Sequence, residues 1–352
     1  MRLFVTSLNR WMIVVLVSLS LVAGGTSKAC AELLAYEGFD YVPGTLIVGG
    51  GGGTGWDGTW DELQGESFAS AVEAGSLHYT DAMGNVLITS GGRLLSTGVD
   101  GTSLPGRNLS FRRGDDGTST WVSFLGQRIG ERNPTGEFAG TYQRGAFLAL
   151  FDLSTINGNT EKVNIGENTN VQYPLPGGGF EDRWFARAPG VAAGVVVSPP
   201  PASNPVNGRL RDVYSESKFD ELSLVVMRID HLPGNDNFHF WVNPALSVDP
   251  SDSSASGHFL ASEIEATAAS LSVEPYLLPG DGEFSFNRVR LFAGNSNVIP
   301  FAEWLLDEIR VGTTFADVTP HLVPEASGAT YAIVSVIGFA SRRRRRSVGL
   351  AG

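Results

Sequence analysis

The chain has 352 residues, 25 of them basic and 37 acidic, which gives a formal net charge of −12. A chain this acidic repels phosphate backbones, so its net charge excludes nucleic acid as a partner and favours divalent cations as ligands. Hydrophobic residues make up 42%, enough for one large core or two small ones. Glycine (44) and proline (18) are frequent without reaching the level of about a quarter that marks low complexity. This balance predicts many turns between short strands.

The N-terminus has the pattern of a secretory signal peptide. Arg2 and Arg10 precede an apolar run over 11–22, and Ala29-Cys30-Ala31 fits an A-x-A cleavage site before Glu32. We therefore predict a signal peptide over 1–31, cleaved after Ala31, with Ala29 and Ala31 as the two small residues of the cleavage site.

Cys30 also permits a lipoprotein interpretation, although Ser27 and Lys28 stand where a lipobox needs apolar and small residues. If cleavage follows Ala31, the mature chain has no cysteine, because Cys30 is the only one. Disulfides and thiol chemistry are then excluded, and an ordinary core must stabilise the protein.

The body, 32–320, is predicted to be one all-β domain, an antiparallel β-sandwich. Short β-branched and aromatic runs recur between turn clusters at the spacing typical of such folds. The runs are 33–39, 86–89, 94–97, 121–125, 146–151, 184–186 and 195–197. Runs 222–229 and 238–242 flank a turn signal at 233–236 and form the best hairpin candidate.

Later segments of the body give more specific predictions. Apolar positions change parity between 286 and 289, which a bulge near Asn287 would reconcile. The mostly apolar run 304–311 predicts a central strand, whereas 261–272 fits helix and strand equally. The proline-rich stretch 198–205 predicts an exposed loop, or a boundary between two β units.

Several stretches of the body resemble secreted, planctomycete-type proteins with a laminin-G-like, concanavalin A-like jelly roll. The resemblance spans about 33–320. It lies in the following segments: Tyr36-Glu-Gly-Phe-Asp-Tyr41, Gly55-Trp-Asp-Gly-Thr-Trp60, Phe238-His-Phe-Trp-Val-Asn-Pro-Ala245, Leu306-Asp-Glu-Ile-Arg-Val-Gly-Thr313 and Phe315-Ala-Asp-Val318. It implies a jelly-roll fold and, in some members, glycan binding or a place within a larger enzyme.

We predict no catalytic residue. Gly50, Gly52 and Gly55 match G-x-G-x-x-G formally, but Trp56-Asp57-Gly58 opens no helix to bind a phosphate, so a glycine loop is the simpler interpretation. The five histidines are scattered, and His239 is expected to be a strand-face residue.

Two acidic pairs are candidates for glycosidase chemistry, which needs two carboxylates on one face about 5–5.5 Å apart for retention. Glu263 and Glu265 have same-face spacing but suit solvated charge. The adjacent Asp307 and Glu308 are expected on opposite faces of a strand, as a structural ion pair or turn anchor.

Two kinds of residue suit ligand binding instead of catalysis. Four carboxylates on predicted loops are candidate Ca²⁺ ligands, and each also suits a turn without an ion; they are Asp115, Asp116, Asp236 and Asp281. Trp56 and Trp60, beside the glycine loop, are candidates for stacking on a sugar ring, with core packing as the alternative. Trp121 and Trp241, inside strands, are expected in the core.

The C-terminal segment, 321–352, has three parts in order: Val323-Pro324-Glu325-Ala326, an apolar run over 329–340, and Arg342, Arg343, Arg344, Arg345 and Arg346. A helix of 12 residues is only about 18 Å long, so it spans a core of about 30 Å poorly, and the arginines keep its end cytoplasmic. A solvated basic terminus is the alternative interpretation.

This order resembles the PEP-CTERM sorting signal that exosortase-type membrane enzymes of Gram-negative bacteria remove, except that the fourth motif position is Ala326 instead of proline. The resemblance implies an exosortase-type partner and delivery to the cell surface or extracellular matrix. Removing both ends takes away eight basic residues and one acidic residue, which leaves a body of 17 basic and 36 acidic residues, or −19.

We therefore expect an exported, non-enzymatic surface protein with a lectin-like module that binds extracellular polysaccharide. The alternatives are a secreted polysaccharide hydrolase or lyase with an unrecognised acidic pair, and an acidic structural matrix component.

Overall fold

The computed structural model describes a body that begins at Glu32 and ends at Pro324. The described residues are 32–62, 69–99, 101–136, 138–142, 144–152, 160–167, 173–175, 178–187, 212–233, 236–252, 259–260, 285–294 and 300–324.

Two antiparallel sheets form this body. Sheet A has the order β16-β15-β14-β7-β18-β5-β3, with β1 also paired to β18. Its strands are β1 (Leu33–Glu37), β3 (Ala71–Glu73), β5 (Arg93–Thr97), β7 (Ser119–Ile129), β14 (Ser223–Asp230), β15 (Asn237–Val242), β16 (Phe259–Leu260) and β18 (Glu303–Gly312). Sheet B has the order β13-β12-β9-β8-β17-β6-β2. Its strands are β2 (Trp56–Glu62), β6 (Pro105–Arg113), β8 (Ala146–Asp152), β9 (Thr160–Glu167), β12 (Arg183–Arg187), β13 (Asp212–Lys218) and β17 (Phe286–Ala293).

The remaining elements are short. Two further pairs are β4 (Val86–Leu87) with β19 (His321–Leu322), and β10 (Tyr173–Pro174) with β11 (Phe180–Glu181). The helices are a 3-10 turn (Pro250–Asp252) and α1 (Phe315–Val318). The chain passes repeatedly between the sheets, as in β5–β6–β7–β8, which is a jelly-roll arrangement. The prediction of an all-β, antiparallel sandwich is confirmed.

The main core lies between the two sheets and follows the two-residue period of a strand. On β8, Leu148 and Leu150 join this core, while Phe147 and Phe151 belong to a separate cluster on the outer side. All seven residues of β8 are buried, so sheet B is buried on both faces at this strand.

The outer face of sheet A is also covered by the chain itself. Trp121 and Trp241 stack there, with ring centroids 5.6 Å apart, and Phe315 of α1 packs edge-on against Trp121. A capping box between Thr314 and Asp317 sets the start of α1. The predicted core positions of Trp121 and Trp241 are confirmed, since both are at most 4% exposed.

Three local predictions are confirmed by the strand register. Strands β14 and β15 form the hairpin, with Ile229 opposite Phe238. The register of β17 against β6 shifts between Phe286 and Arg288, around the expected bulge. Strand β18 lies between β7 and β5 and is central.

Other predictions fall outside the described residues: the run 195–197, the proline-rich 198–205, the ambiguous 261–272, the signal segment with Ala29 and Ala31, and the tail from Glu325 with its five arginines. Among the described residues no helix is long and apolar enough to cross a membrane. His321, just past the predicted limit of 320, pairs with Leu87 in the short β4–β19 pair, and the last residues that the structure describes, Val323 and Pro324, are exposed.

Candidate functional site

The outer surface of sheet B, which we call the B face, combines aromatic and charged side chains. Across β17, β8 and β9 the strand pairing places residues in three rows on this side. The rows are Phe292, Phe147 and Gly166; Arg290, Ala149 and Asn164; and Arg288, Phe151 and Glu161. Neighbouring strands lie about 4.8 Å apart, so each row extends over about 10 Å. This is the size of one or two sugar rings.

Aromatic rings form two apolar patches on the B face. Phe147 and Phe292 are stacked, with centroids 4.4 Å apart and planes at 6°. The guanidinium of Arg290 lies 4.0 Å from the ring centroid of Phe151. Ala149 lies between Phe147 and Phe151 on β8, and the three buried residues form one cluster against which Phe292 packs.

The two arginines of the B face are held from one end by ion pairs. Arg288 reaches across Gly106 to bind Asp61, and it also donates to Asn108 at 2.8 Å. A Cβ atom at position 106 would lie 2.4 Å from Arg288 Nη2, so this crossing requires glycine. Arg290 Nη2 donates to Glu161 Oε2 at 3.1 Å.

Asn164 completes the same network. Its Nδ2 donates to Glu161 Oε1 at 2.6 Å, so Glu161 bridges Arg290 and Asn164. Burial lowers the pKa of Arg290, the nearby Glu161 carboxylate opposes that shift, and Arg288 adds to it. Since the two arginines are matched by Asp61 and Glu161, these four side chains carry no net charge.

Three buried polar atoms of the B face have no hydrogen-bond partner among the residues that the structure describes. They are Nε of Arg288, Nε of Arg290 and Oδ1 of Asn164. Leaving such an atom unpaired costs about 1–3 kcal/mol, and buried polar atoms normally have partners. Two donors and one acceptor therefore lie unpaired beside the aromatic patches, and all three atoms are buried, as β8 itself is.

The predicted stacking residues lie apart from these three rows, and one of the two predictions is wrong. Trp60 is 1% exposed and belongs to the main core, with Phe39 stacked at 6.2 Å and Trp56 tilted against it, so it has no free face for a sugar. Its Nε1 donates to Glu37. Trp56 is partly buried, with Arg107 5.4 Å from its ring centroid, and its Nε1 donates to Tyr36 O. Only Trp56 remains a candidate for ligand contact.

A buried ion pair organises the glycine loop. Arg107 Nη1 lies 2.7 Å from Glu37 Oε2, and Arg107 also donates to the carbonyl oxygens of Gly52 and Gly58. Strand β2 begins at Trp56 directly after Gly55, so no helix follows the glycines. The loop encloses a cation of the protein itself, in agreement with its interpretation as a glycine loop without a phosphate.

The structure does not bring the predicted calcium ligands together. Asp115 and Asp116 are exposed in the β6–β7 turn, and the carbonyl oxygen of Asp115 accepts from Thr118. Asp236 is 3% exposed and binds His231 Nδ1 and the Leu232 amide, which is a turn role. Asp281 lies outside the described residues, and within the described ranges no three acidic or histidine side chains form a metal cluster.

The acidic pair in β18 is arranged differently from the prediction. Leu306 and Ile309 both face the main core, so the two residues between them both point outward through a bulge. Asp307 accepts from the amide of Leu77, whereas Glu308 accepts from Ser90 N and Tyr36 Oη. The expectation of opposite faces is wrong, because the bulge adds a residue.

Both carboxylates of this pair have structural roles. Asp307 and Glu308 fasten the 77–90 segment to sheet A, and Glu308 forms an ion pair with Arg310. The other candidate pair, Glu263 and Glu265, lies outside the described residues. His239 lies on the face of β15, against Trp241 and bonded to Asp230, in the strand-face role expected for it.

The buried Asp307 predicts a pH-dependent stability. Burial, helped by the charge of Glu308, raises its pKa to about 8 from 3.8. Between about pH 4 and 8 the folded state keeps a proton that the unfolded state has lost, so the free energy of unfolding falls as pH rises, by at most about 1.4 kcal/mol per unit for this group. Urea melts at pH 6, 7 and 8 should show a shallower decrease for Asp307→Asn than for the wild type.

Glu73→Gln is the matched control, because Glu73 lies at the surface with its side chain 38% exposed. It should keep the wild-type slope. Parallel slopes for the wild type and Asp307→Asn would show that Asp307 is ionised in the folded protein at neutral pH.

No family model matches the chain, and no curated protein matches it. Solved structures similar to it include an endo-1,3-beta-glucanase from Streptomyces sioyaensis, at 12% identity and a TM-score of 0.34, over 82% of this chain and 98% of that one. A lectin from Bauhinia forficata in complex with GalNAc is similar at 11% identity and a TM-score of 0.33, over 81% and 99%. Such values are too low to transfer a ligand or an activity, so the chemistry of this chain rests on its own residues.

Proposed function

We propose that this protein is an exported, non-enzymatic surface protein whose B face binds a neutral polysaccharide. The observation that carries the proposal is the set of three unpartnered buried atoms, Nε of Arg288, Nε of Arg290 and Oδ1 of Asn164, next to stacked phenylalanines. A hydroxyl group both donates and accepts, so one sugar ring satisfies donors and an acceptor together. Apolar ring faces of the sugar fit the aromatic patches.

The balanced charges of the B face favour a neutral sugar. Arg288 and Arg290 already pair with Asp61 and Glu161, which orient the arginines without leaving a net positive charge for an anionic ligand. This resembles the general design of ligand sites, where a few fixed polar groups set orientation and apolar surface contributes affinity.

Arg290→Met should weaken polysaccharide binding about 10- to 100-fold, because a hydrogen bond from a charged donor contributes about 1.5–3 kcal/mol. The measurement is a glycan array followed by calorimetry on the best ligand, with protein purified from its own host. Methionine keeps the length of the side chain and removes the unpaired Nε.

Arg228→Met is the matched control on the opposite sheet. Arg228 is also an ion-paired arginine beside an aromatic ring: it binds Asp230 at 2.7 Å and lies 5.6 Å from the centroid of Trp121. It should bind as the wild type does. Equal weakening in both variants, or no binding to any glycan by the wild type, would contradict the proposal, and release of reducing or unsaturated ends would favour a hydrolase or lyase.

We further propose that the protein is exported through the signal segment over 1–31 and sorted by its tail, with an exosortase-type enzyme as processing partner. The supporting features are the arginine-flanked apolar runs at both ends and the position of Val323 and Pro324, exposed directly after the last strand. A processing enzyme would find this site outside the sandwich.

Mass spectrometry of the protein from its host surface should detect neither 1–31 nor 342–352. In a host lacking an exosortase-type enzyme, the intact tail should remain in the membrane fraction. Recovery of surface protein that still carries 342–352 would contradict the sorting proposal and leave glycan binding untouched.

A further inference from the structure

Two buried carboxyl groups meet at one end of sheet B. Glu167 ends β9 and Asp182 immediately precedes β12, and they are 1% and 2% exposed. Gly166 pairs with Phe185, so Glu167 and Asp182 lie at the same end of the neighbouring strands β9 and β12, and each shifts the pKa of the other. Neither residue belongs to the B face rows or to the predicted sites.

The two carboxyl groups differ in their other partners. Asp182 accepts from the amide of Tyr142 with both oxygens, at 3.0 and 3.2 Å, and from Arg132 Nη1 at 3.0 Å. Both oxygens of Glu167 are buried, and among the described residues no N–H or O–H group donates to them. The polar group that faces Glu167 is therefore another acceptor.

A proton on Glu167 removes the repulsion between the two carboxyl groups. Two carboxylates in hydrogen-bond contact repel each other, whereas a carboxylic acid donates to a carboxylate and forms a strong bond. We infer that Glu167 is held as a neutral carboxylic acid that donates to Asp182, and that this shared proton fastens the β7–β8 connection, which carries Arg132 and Tyr142, to the end of sheet B.

The charges around the pair agree with a neutral Glu167. Arg128 of β7 and Arg132 lie near the ring of Tyr142, with guanidinium carbons 4.6 and 4.5 Å from its centroid. Arg132 also binds Asp220, and Glu303 of β18 attracts Arg128. Two arginines thus face Asp182, Asp220 and Glu303, which already supply more negative charge than the arginines balance.

The shift in the pKa of Glu167 has the direction that a neutral carboxylic acid requires. Burial raises the pKa of Glu167 well above its usual value, the charge of Asp182 raises it further, and Arg128 and Arg132 oppose the shift. Because the folded pKa is raised, the stabilisation is complete below the unfolded pKa near 4.5 and is lost as pH rises through the folded value. Alkaline pH should therefore release the β7–β8 connection.

The test follows the Tyr142 amide, which donates to Asp182. Hydrogen-exchange protection factors at Tyr142 should fall as the pH is raised from 6 into the alkaline range in the wild type. Glu167→Gln should keep its protection across this range, since a glutamine amide donates to Asp182 at every pH. A pH-dependent loss in Glu167→Gln equal to that of the wild type would overturn the inference.

Two further measurements keep the test decisive. If Glu167→Gln does not fold, infrared spectra of Asp307→Asn, which lacks a carboxyl whose pKa is raised to about 8, should still show a protonated carboxylic acid at pH 7, and its absence would overturn the inference. A cation in place of the proton is the other way to join two carboxylates. The melting temperature should be the same in millimolar Ca²⁺ and in chelator. A Ca²⁺-dependent rise in melting temperature that is lost in Glu167→Gln would show that a cation, and not a proton, joins the two carboxylates.

Discussion

Replacing Arg107 with alanine is expected to lower the free energy of unfolding by about 3–5 kcal/mol, the cost of leaving one member of a buried ion pair alone. Glu37 is fully buried and Arg107 is 3% exposed, so the remaining carboxylate would have no access to water. Arg107 also donates to the carbonyl oxygens of Gly52 and Gly58, and the variant would release the glycine loop.

Urea denaturation measures this effect, and Arg93→Ala is its control. Arg93 binds Glu73 at 2.9 Å, a distance close to that of the buried pair, but the two side chains are 32% and 38% exposed. Solvent screening reduces the contribution of such a pair to about 1 kcal/mol or less. Equal urea midpoints for Arg107→Ala and Arg93→Ala would show that burial does not increase the contribution of the Arg107–Glu37 pair to the free energy of unfolding.

Trp184→Ala should be similarly damaging, with a loss of about 3–5 kcal/mol, because it opens a cavity in the main core. Trp184 is fully buried and packs edge-on against Phe124 and Phe219, at centroid distances of 5.9 and 4.4 Å. Gly126 makes room for it, since a Cβ atom there would lie 2.7 Å from the indole ring.

Trp184→Phe is the matched variant, because a smaller ring retains contact with Phe219 and leaves a smaller cavity. The Nε1 of Trp184 has no hydrogen-bond partner among the described residues, so losing it should add no polar penalty. Thermal and urea melts should rank the wild type above Trp184→Phe and Trp184→Ala lowest. Equal stability of the wild type and Trp184→Ala would mean that the core collapses to fill the space.

Local sequence pattern was sufficient for much of this fold. The hairpin between β14 and β15 and the bulge in β17 follow from alternation, turn residues and a change of parity, and the apolar run of β18 predicts that this strand is buried. Trp121 and Trp241 lie in the core because they occupy strand interiors. These features depend on neighbours within a few residues along the chain.

Long-range pairing decided what the sequence left open. The adjacent Asp307 and Glu308 point the same way only because a bulge lies between Leu306 and Ile309, which both face the core. Trp60 follows the glycine run and is buried, because its Nε1 donates to Glu37 and Arg107 binds both Glu37 and the carbonyl oxygens of that run.

The B face shows most clearly which contacts local sequence pattern cannot predict. Arg288 and Asp61 are separated by 227 positions, and Arg290 and Glu161 by 129, so no local spacing could associate them. The sequence by itself determined which residues form strands, because alternation and turn residues act locally. Only the tertiary structure decided which side chains meet, because strand order and register are set by packing across the whole sandwich.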